Sequence, residues 1–210
     1  MSNIVVLVLR SGGDFDWDYV DYLSDCIHRY LKHAEIIVLT DMEPPKYGAY
    51  VTLPLWYNWP GWWSKMEIFR PGIVPKSEPF LYMDLDTMLV KDIDEFFGHD
   101  ELITANDWSR PHGINSTLMF LPGHVRPGVW QKFALYPEEA MERHAKGGDQ
   151  EFLTEFWSGN VKKWDQVLPG KVASYKWNIK PPNTINPEVA VIAFHGKPRP
   201  RDISWTLPQS

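Results

Sequence analysis

Two carboxylates, Asp84 and Asp86, stand one residue apart directly after the apolar run 80–83. A buried strand should not carry two bare charges, because an ionised carboxylate is costly to remove from water. We therefore predict that the strand ends at Asp84 and that both side chains emerge at the carboxyl edge of a sheet. There Mn²⁺ or Mg²⁺ would neutralise them and keep an open side for phosphate oxygens. The alternative is an Asp-rich turn in which Asp86 caps the next segment.

The composition is that of a folded globular protein and limits the function classes. With 210 residues, 44% of them hydrophobic and 23% charged, the chain can bury one substantial core. A formal charge of -6 argues against a non-specific nucleic-acid binder, which would carry a basic face. The single Cys26 excludes an internal disulfide and a multi-cysteine zinc site.

Targeting signals are not evident in the sequence. No apolar run has the length of a membrane-spanning helix, so we expect no transmembrane segment. Residues 1–11 lack the basic start and small-residue cleavage site of a secretory signal. The expected location is therefore cytoplasmic.

Hydrophobic spacing predicts alternating strands and helices. Apolar runs at 4–9 and 36–39 flank a helical pattern at 19–31, and such a strand–helix–strand start implies a right-handed crossover and a parallel sheet. Further strands are expected at 50–55, 80–83, 102–105, 116–121 and 189–194, and further helices at 65–69, 93–97, 137–144 and 150–157. From about residue 164 the chain is rich in Pro, Trp and Lys. We predict one α/β domain over residues 1–210.

Five short motifs follow one another along the chain. They are Lys65, Asp84-Leu85-Asp86, Asn115-Ser116-Thr117, Gly148-Asp149-Gln150 and Phe194-His195-Gly196-Lys197-Pro198. This succession, over residues 3–198, resembles the glycogenin-like retaining family (family 8-like) of GT-A-type glycosyltransferases. The resemblance implies a GT-A-type domain with a mainly parallel sheet flanked by helices. The C-terminal motif is shortened and the chain is short for that family, which implies a reduced acceptor-binding part.

The resemblance also implies roles for particular residues. The enzyme would use Mn²⁺ or Mg²⁺, a nucleotide-diphospho-sugar donor and a glycan, lipid-linked or protein acceptor, with retention. The metal ligands would be Asp84, Asp86 and His195; the catalytic residues would be Asp149, Gln150 and Asn115; and the donor-binding residues would include Asp41, Lys65, Leu85, Gly196 and Lys197. Arg10, Ser11 and Gly12 are added because they follow the first strand, where open α/β sheets bind ligands.

Each assignment has a structural alternative. His195 could be structural, Lys197 could be solvated in a basic tail with Arg199 and Arg201, and Asp149 could simply cap a helix. The same holds for Lys65 and Arg70 as members of an exposed helix face, for Asp41 as a turn cap, and for Asn115 as a partner of backbone groups. The chain has eleven Trp residues; Trp62, Trp63, Trp108 and Trp177 are candidates for sugar stacking, although Trp also fills cores.

Two rival functions remain open at the level of sequence. A haloacid-dehalogenase-type phosphatase also carries an apolar strand followed by Asp-x-Asp and a Thr, which Asp84, Asp86 and Thr87 match. Against it, that motif normally opens the chain, and Gln150 stands where a second late acid would be needed. The other rival is a non-catalytic module that binds nucleotide-sugars or glycans.

Overall fold

The computed structural model describes residues 2–110, 112–158, 161–179 and 185–205. Its strands are β1 (Asn3–Leu9), β2 (Ala34–Thr40), β3 (Val51–Pro54), β4 (Phe80–Met83), β5 (Thr87–Leu89), β6 (Ile103–Asn106), β7 (Ile114–Leu121), β8 (Lys162–Lys163), β9 (Val172–Ser174) and β10 (Val191–Ala193). Its α-helices are α1 (Trp17–Tyr30), α2 (Arg126–Leu135), α3 (Pro137–Arg143), α4 (Gly148–Phe156) and α5 (Trp164–Val167). Short 3₁₀-helices lie at Gly61–Phe69, Asp94–Phe96, Gly123–Val125 and Pro200–Ile203, and a π-helical turn at Tyr175–Ile179.

A seven-stranded sheet in the order β3-β2-β1-β4-β7-β6-β8 forms the centre of the molecule. β1 pairs in parallel with β2 and β4, β2 with β3, and β6 with β8, whereas β7 runs antiparallel to both β4 and β6. This arrangement confirms the predicted α/β class with a mainly parallel sheet flanked by helices. Because β4 is the middle strand, its carboxyl end opens at the centre of the sheet edge.

The two faces of this sheet bury separate apolar cores. Val5, Leu7 and Leu9 of β1 point into a core that α1 covers. Ile4 and Val6, which alternate with them, point into a second core built with the 61–69 helix, α2 and α4. Burial on both faces explains why β1 is a near-continuous apolar run instead of an alternating one.

A second sheet of three short strands, in the order β5-β10-β9, lies next to the end of β4. The chain enters β5 at Thr87, and β10 pairs antiparallel with it, Ala193 lying opposite Thr87. The strand predicted at 189–194 is observed over the shorter span of β10, whereas β5 and β9 had no sequence signal strong enough for a prediction. This small sheet carries the residues after β10 to the Asp-x-Asp segment, where the Phe194 amide donates to the Asp86 carbonyl at 3.0 Å.

Several other elements differ from the sequence expectation. The predicted 65–69 helix starts at Gly61 and is a 3₁₀-helix, and α2 was not predicted. α2 buries only Arg126, Val129 and Phe133, so its apolar face is too sparse for a clear helical period. Within the described ranges, no helix combines the length and the apolar character needed to cross a membrane.

Candidate active site

A cleft of about 680 Å³ opens where β1 and β4 end. Its walls include residues 10–15, 61–62, 84–86, 146–147, 149–150 and 194–196, together with Lys65, Tyr82, Thr117 and Arg199. The structure therefore brings Asp84, Asp86, His195, Asp149 and Lys65 to one place, although they come from distant parts of the chain.

A buried cation joins two carboxylates at one end of the cleft. The Lys65 Nζ lies 2.9 Å from the Asp84 Oδ1 and 3.2 Å from the Asp149 Oδ2. Burial by itself lowers the pKa of Lys65, but the charges of Asp149 and Asp84 outweigh that effect and leave this pKa raised. Lys65 is therefore a permanent positive charge that neutralises part of the acidity of the cleft.

Two hydroxyl groups complete this network. The Ser116 hydroxyl accepts from the Lys65 Nζ at 2.9 Å and donates to the Asp149 Oδ2 at 2.6 Å. The Tyr82 hydroxyl donates to the Asp84 Oδ1 at 2.6 Å. Ser116 belongs to the Asn115-Ser116-Thr117 motif but had no predicted role of its own, and Tyr82 was not predicted, although a buried Tyr two residues before Asp84 on the same strand needed a partner for its hydroxyl.

The exposed-face interpretation is wrong for both Lys65 and Arg70. Lys65 is 6% exposed and Arg70 is 2% exposed, because nearly the whole 61–69 helix packs inward. The Arg70 Nε lies 3.1 Å from Glu67, and its guanidinium stacks 3.8 Å from the centre of the Trp56 ring. Arg70 therefore stabilises the surroundings of the helix, while Lys65 reaches the cleft.

The capping interpretation is also wrong for Asp149. α4 begins at Gly148 with Gly147 as its N-cap, and the Asp149 carboxylate bonds to Ser116 and Lys65. Gly148 has φ +63, and a Cβ there would lie 2.4 Å from the indole nitrogen of Trp62, so the site requires glycine. Trp62, which is 56% exposed, thus lies against the start of α4 and lines the cleft, as does Gln150.

A different cation neutralises Asp86. The guanidinium of Arg199 forms an ion pair with the Asp86 Oδ2 and lies 3.4 Å from the Asp14 carboxylate. The Asp86 side chain is 7% exposed; burial and the neighbouring Asp84 raise its pKa to about 7, while Arg199 opposes that shift. The sequence indicates only a basic tail around Arg199, because nothing local to this residue indicates a partner 113 residues away.

His195 lies beside the same carboxylates. Burial lowers the pKa of its imidazole, and the Trp108 ring packs 4.9 Å from it. Its Nε2 is buried and has no hydrogen-bond partner among the described residues. Two carboxylates and an orphaned imidazole nitrogen in one cleft fit a divalent cation by their chemistry. However, within the described ranges no three such side chains are arranged around one ion position, and Arg199 holds the Asp86 carboxylate.

The turn after β1 forms another part of the cleft wall. Arg10, Ser11 and Gly12 line the cleft as predicted from their place at the strand end. Asp41 accepts from the Ser11 amide at 2.8 Å and from its hydroxyl at 2.5 Å, and it pairs with Arg10. Asp41 is not among the described residues that line the cleft, so its observed contacts hold this turn.

Other predicted site residues take different positions. The Lys197 side chain is 71% exposed and lies 3.7 Å from Asp202, outside the described lining of the cleft, whereas Gly196 is part of that lining. Asn115 accepts from the Thr117 amide at 2.9 Å, the backbone role named as its alternative. Leu85 touches the cleft, but its side chain is 2% exposed and belongs to the core below.

The tryptophan candidates for sugar stacking also differ in their burial and in whether they line the cleft. Trp63 is 5% exposed and stacks on Phe133 in the core. Trp177 is 60% exposed and is not among the described lining residues. Trp62 alone of the four candidates both lines the cleft and presents a large exposed ring.

Comparison with known proteins supports the fold. No protein-family model matches the chain, and no curated protein matches it by sequence. The glycosyltransferase GlyE of Streptococcus pneumoniae TIGR4 is similar in structure, with TM-score 0.66, 15% identity, and coverage of 97% of this chain and 59% of GlyE. An active-site variant of LgtC gives TM-score 0.66 and 12% identity over 99% of this chain and 97% of LgtC. The chain thus spans little more than half the length of GlyE, and it has the GT-A-type fold expected from its motifs.

Proposed function

We propose that this chain is a metal-dependent glycosyltransferase that moves a sugar from a nucleotide-diphospho-sugar donor to an acceptor, with retention. The observation that carries the proposal is the convergence of Asp84, Asp86, His195 and Asp149 in one cleft at the carboxyl end of β4. The likeness to glycosyltransferase structures supports the same activity. Retention is taken from the resemblance of the motifs.

The residues of the cleft have complementary roles in this proposal. Asp84, Asp86 and His195 would hold the ion, and bound Mn²⁺ or Mg²⁺ supplies Lewis-acid stabilisation of the leaving diphosphate. Asp149 and Gln150 face the same space and would stabilise positive charge that develops at the anomeric carbon. Lys65 orients Asp149, because it holds that carboxylate together with Ser116.

Trp62 supplies a wall for a sugar ring. Its exposed indole lies against Gly148, next to Asp149 and Gln150. Flat aromatic faces pack well on the apolar faces of sugars, so we assign Trp62 to sugar binding.

Thermal unfolding with a panel of nucleoside diphosphates, with and without Mn²⁺, tests the proposal. A ligand that binds only the native state raises stability by about 2.7 kcal/mol at a hundredfold excess over its dissociation constant. We expect this effect only when Mn²⁺ is present, and we expect Asp86→Ala to remove it. Release of nucleoside diphosphate from nucleotide-sugars then measures turnover.

The two rival functions give different results in the same assays. A phosphatase would release phosphate from p-nitrophenyl phosphate without needing a nucleotide. A binding module would show the thermal shift without turnover. Nucleotide binding that persists without Mn²⁺ and in Asp86→Ala would contradict the metal assignment.

A further inference from the structure

The guanidinium of Arg199 neutralises Asp86 at the position where the proposed function requires a metal ion. Arg199 comes from the segment after the small sheet, 113 residues beyond its partner, and its side chain is 16% exposed. Among the described residues, it is the only side chain that an ion pair or hydrogen bond joins to the Asp86 carboxylate. Arg199 therefore already does for Asp86 what a bound metal ion would do.

Hydrogen bonding is incomplete at this end of the cleft. The Nε of Arg199 and the Nε2 of His195 are both buried without hydrogen-bond partners in the described part of the chain. Buried polar atoms are normally satisfied, because an unpaired one loses its hydration without gaining a hydrogen bond. The pair of orphaned nitrogens marks an arrangement that a further ligand would complete.

A divalent cation and Arg199 compete for the Asp86 carboxylate. Two like charges about 4 Å apart repel strongly in a partly desolvated site, so a metal ion bound at Asp86 would drive the guanidinium away. A freed guanidinium in a cleft has a strong preference for phosphate, which it binds through two parallel hydrogen bonds. The metal and the diphosphate would then each gain from the presence of the other.

We propose that Arg199 is a resident counterion of Asp86, which a divalent cation displaces and which then binds the diphosphate of the donor. This inference rests on the proposed function, because it assumes that metal and nucleotide meet in this cleft. It makes Arg199 a competitor of the metal at Asp86 and a binding residue for phosphate. It also implies that Mn²⁺ alone binds weakly and that a nucleoside diphosphate strengthens its binding, since such coupling is reciprocal.

Arg201 offers a matched control. It lies two residues further along the same segment and pairs with Asp16 and Asp18. It is not among the described residues that line the cleft. Removing the Arg201 charge therefore changes the net charge of the protein and of this segment by the same amount as removing the Arg199 charge. It does not free Asp86.

Direct measurement of Mn²⁺ binding, by the electron paramagnetic resonance of the free ion, tests the first step. We expect Arg199→Gln to bind Mn²⁺ alone at least about tenfold more tightly than the wild type, because no guanidinium competes for Asp86. Arg201→Gln should match the wild type. Unchanged or weaker binding in Arg199→Gln, or no binding in either protein, would overturn the inference.

Titration with UDP, GDP and ADP at saturating Mn²⁺ tests the second step. We expect the nucleotide that binds best to the wild type to bind Arg199→Gln at least about tenfold more weakly, since the guanidinium no longer reaches its phosphates. Equal nucleotide affinity in the two proteins would overturn the phosphate role. If Mn²⁺ binds more tightly to Arg199→Gln but no nucleotide binds to any variant, the proposed function fails while the counterion role stands.

Circular dichroism and thermal unfolding of each variant establish that it is folded. If Arg199→Gln does not fold, Arg199→Met serves instead, because Met keeps a long flexible side chain but carries no charge. The Mn²⁺ affinity of Arg199→Met should then exceed that of the wild type. An affinity equal to or below that of the wild type would contradict the proposal.

Discussion

Asp84 and Asp86 are one residue apart, yet the protein neutralises them in different ways. Asp84 belongs to a network of the main sheet, in which Lys65 and the Tyr82 hydroxyl both bond to it. Asp86 depends on Arg199, which the small sheet delivers from the far end of the chain. The first arrangement is fixed by the core, whereas the second is the one that we propose a divalent cation displaces. The difference suggests that the cleft combines a permanent charge with a replaceable one.

Loss of Lys65 should have the largest effect. In Lys65→Met the carboxylates of Asp84 and Asp149 lose their cation, and breaking a buried ion pair costs about 3–5 kcal/mol. Urea unfolding at neutral pH measures this loss in the free energy of unfolding. Lys162→Met is the control, because that lysine pairs with Glu101 in an exposed position and should cost at most about 1 kcal/mol.

A small loss in Lys65→Met would remove the distinction between the two carboxylates. It would mean that Asp84 and Asp149 are hydrated well enough to tolerate the missing cation. The network around Lys65 would then not be a rigid part of the core.

Loss of Arg199 should cost less stability, about 1–3 kcal/mol, because one largely buried carboxylate is left without its partner. The deficit in Arg199→Ala should shrink when Mn²⁺ is added, since the ion binds the native state. Thermal unfolding with and without Mn²⁺ measures both quantities. Added Mn²⁺ should not rescue Lys65→Met to the same extent, and equal rescue of the two variants would contradict the comparison.

The substitution Asp149→Asn distinguishes a structural role of Asp149 in the Lys65 network from a catalytic role. Asn has nearly the same shape but no charge, so it can accept from Ser116 without stabilising positive charge in the transition state. We expect the rate of sugar transfer to fall at least about tenfold, equivalent to about 1.4 kcal/mol, with little change in donor affinity. Steady-state kinetics with the active donor measures this. A normal kcat would assign Asp149 to the fold alone.

Lys163 gives the most direct test of how burial and pairing compete. Its Nζ donates to the Gly113 carbonyl at 2.8 Å and to the Thr104 hydroxyl at 3.1 Å, and it has no carboxylate partner in the described structure. Burial therefore lowers the pKa of Lys163 to about 8, the opposite direction from that of Lys65.

The sign of the pH effect follows from proton binding. Between pH 8 and 10.5 the unfolded chain holds a proton on Lys163 that the folded chain has lost, so this residue makes the free energy of unfolding rise with pH. Lys163→Met should remove that rise. Urea unfolding of both proteins across this range measures the difference between them, and parallel pH profiles would show that Lys163 is not desolvated.

Much of the fold could be predicted because its signals are local. The apolar runs at 4–9 and 36–39 became β1 and β2, with boundaries shifted by up to two residues. The Asp-x-Asp lies at the end of a buried strand as predicted, since the cost of burying two bare charges limits where that strand can end. β5 and β9 were missed because each has only three residues, too few to show a period.

The candidate site could be predicted only in part. Motif order was enough to predict that Asp84, Asp86, His195 and Asp149 lie together, although the first two follow β4, His195 follows β10 of the small sheet and Asp149 lies in α4. It was not enough to distinguish Lys197, which is exposed, from Arg199, which enters the cleft. Both are cations in one short segment, and their spacing carries no information about which of them turns inward.

The amino-acid sequence by itself determined the elements and the charges: apolar periodicity specifies strands and helices, and residue type specifies which groups are charged. Only the tertiary structure determined which charged groups form ion pairs with each other. Asp86 and Arg199 are 113 residues apart, and their contact requires β10 to pair with β5. Likewise, Lys65 is buried because the 61–69 helix packs against the sheet. Ion pairs depend on distance in space, which sheet topology sets and local sequence does not record.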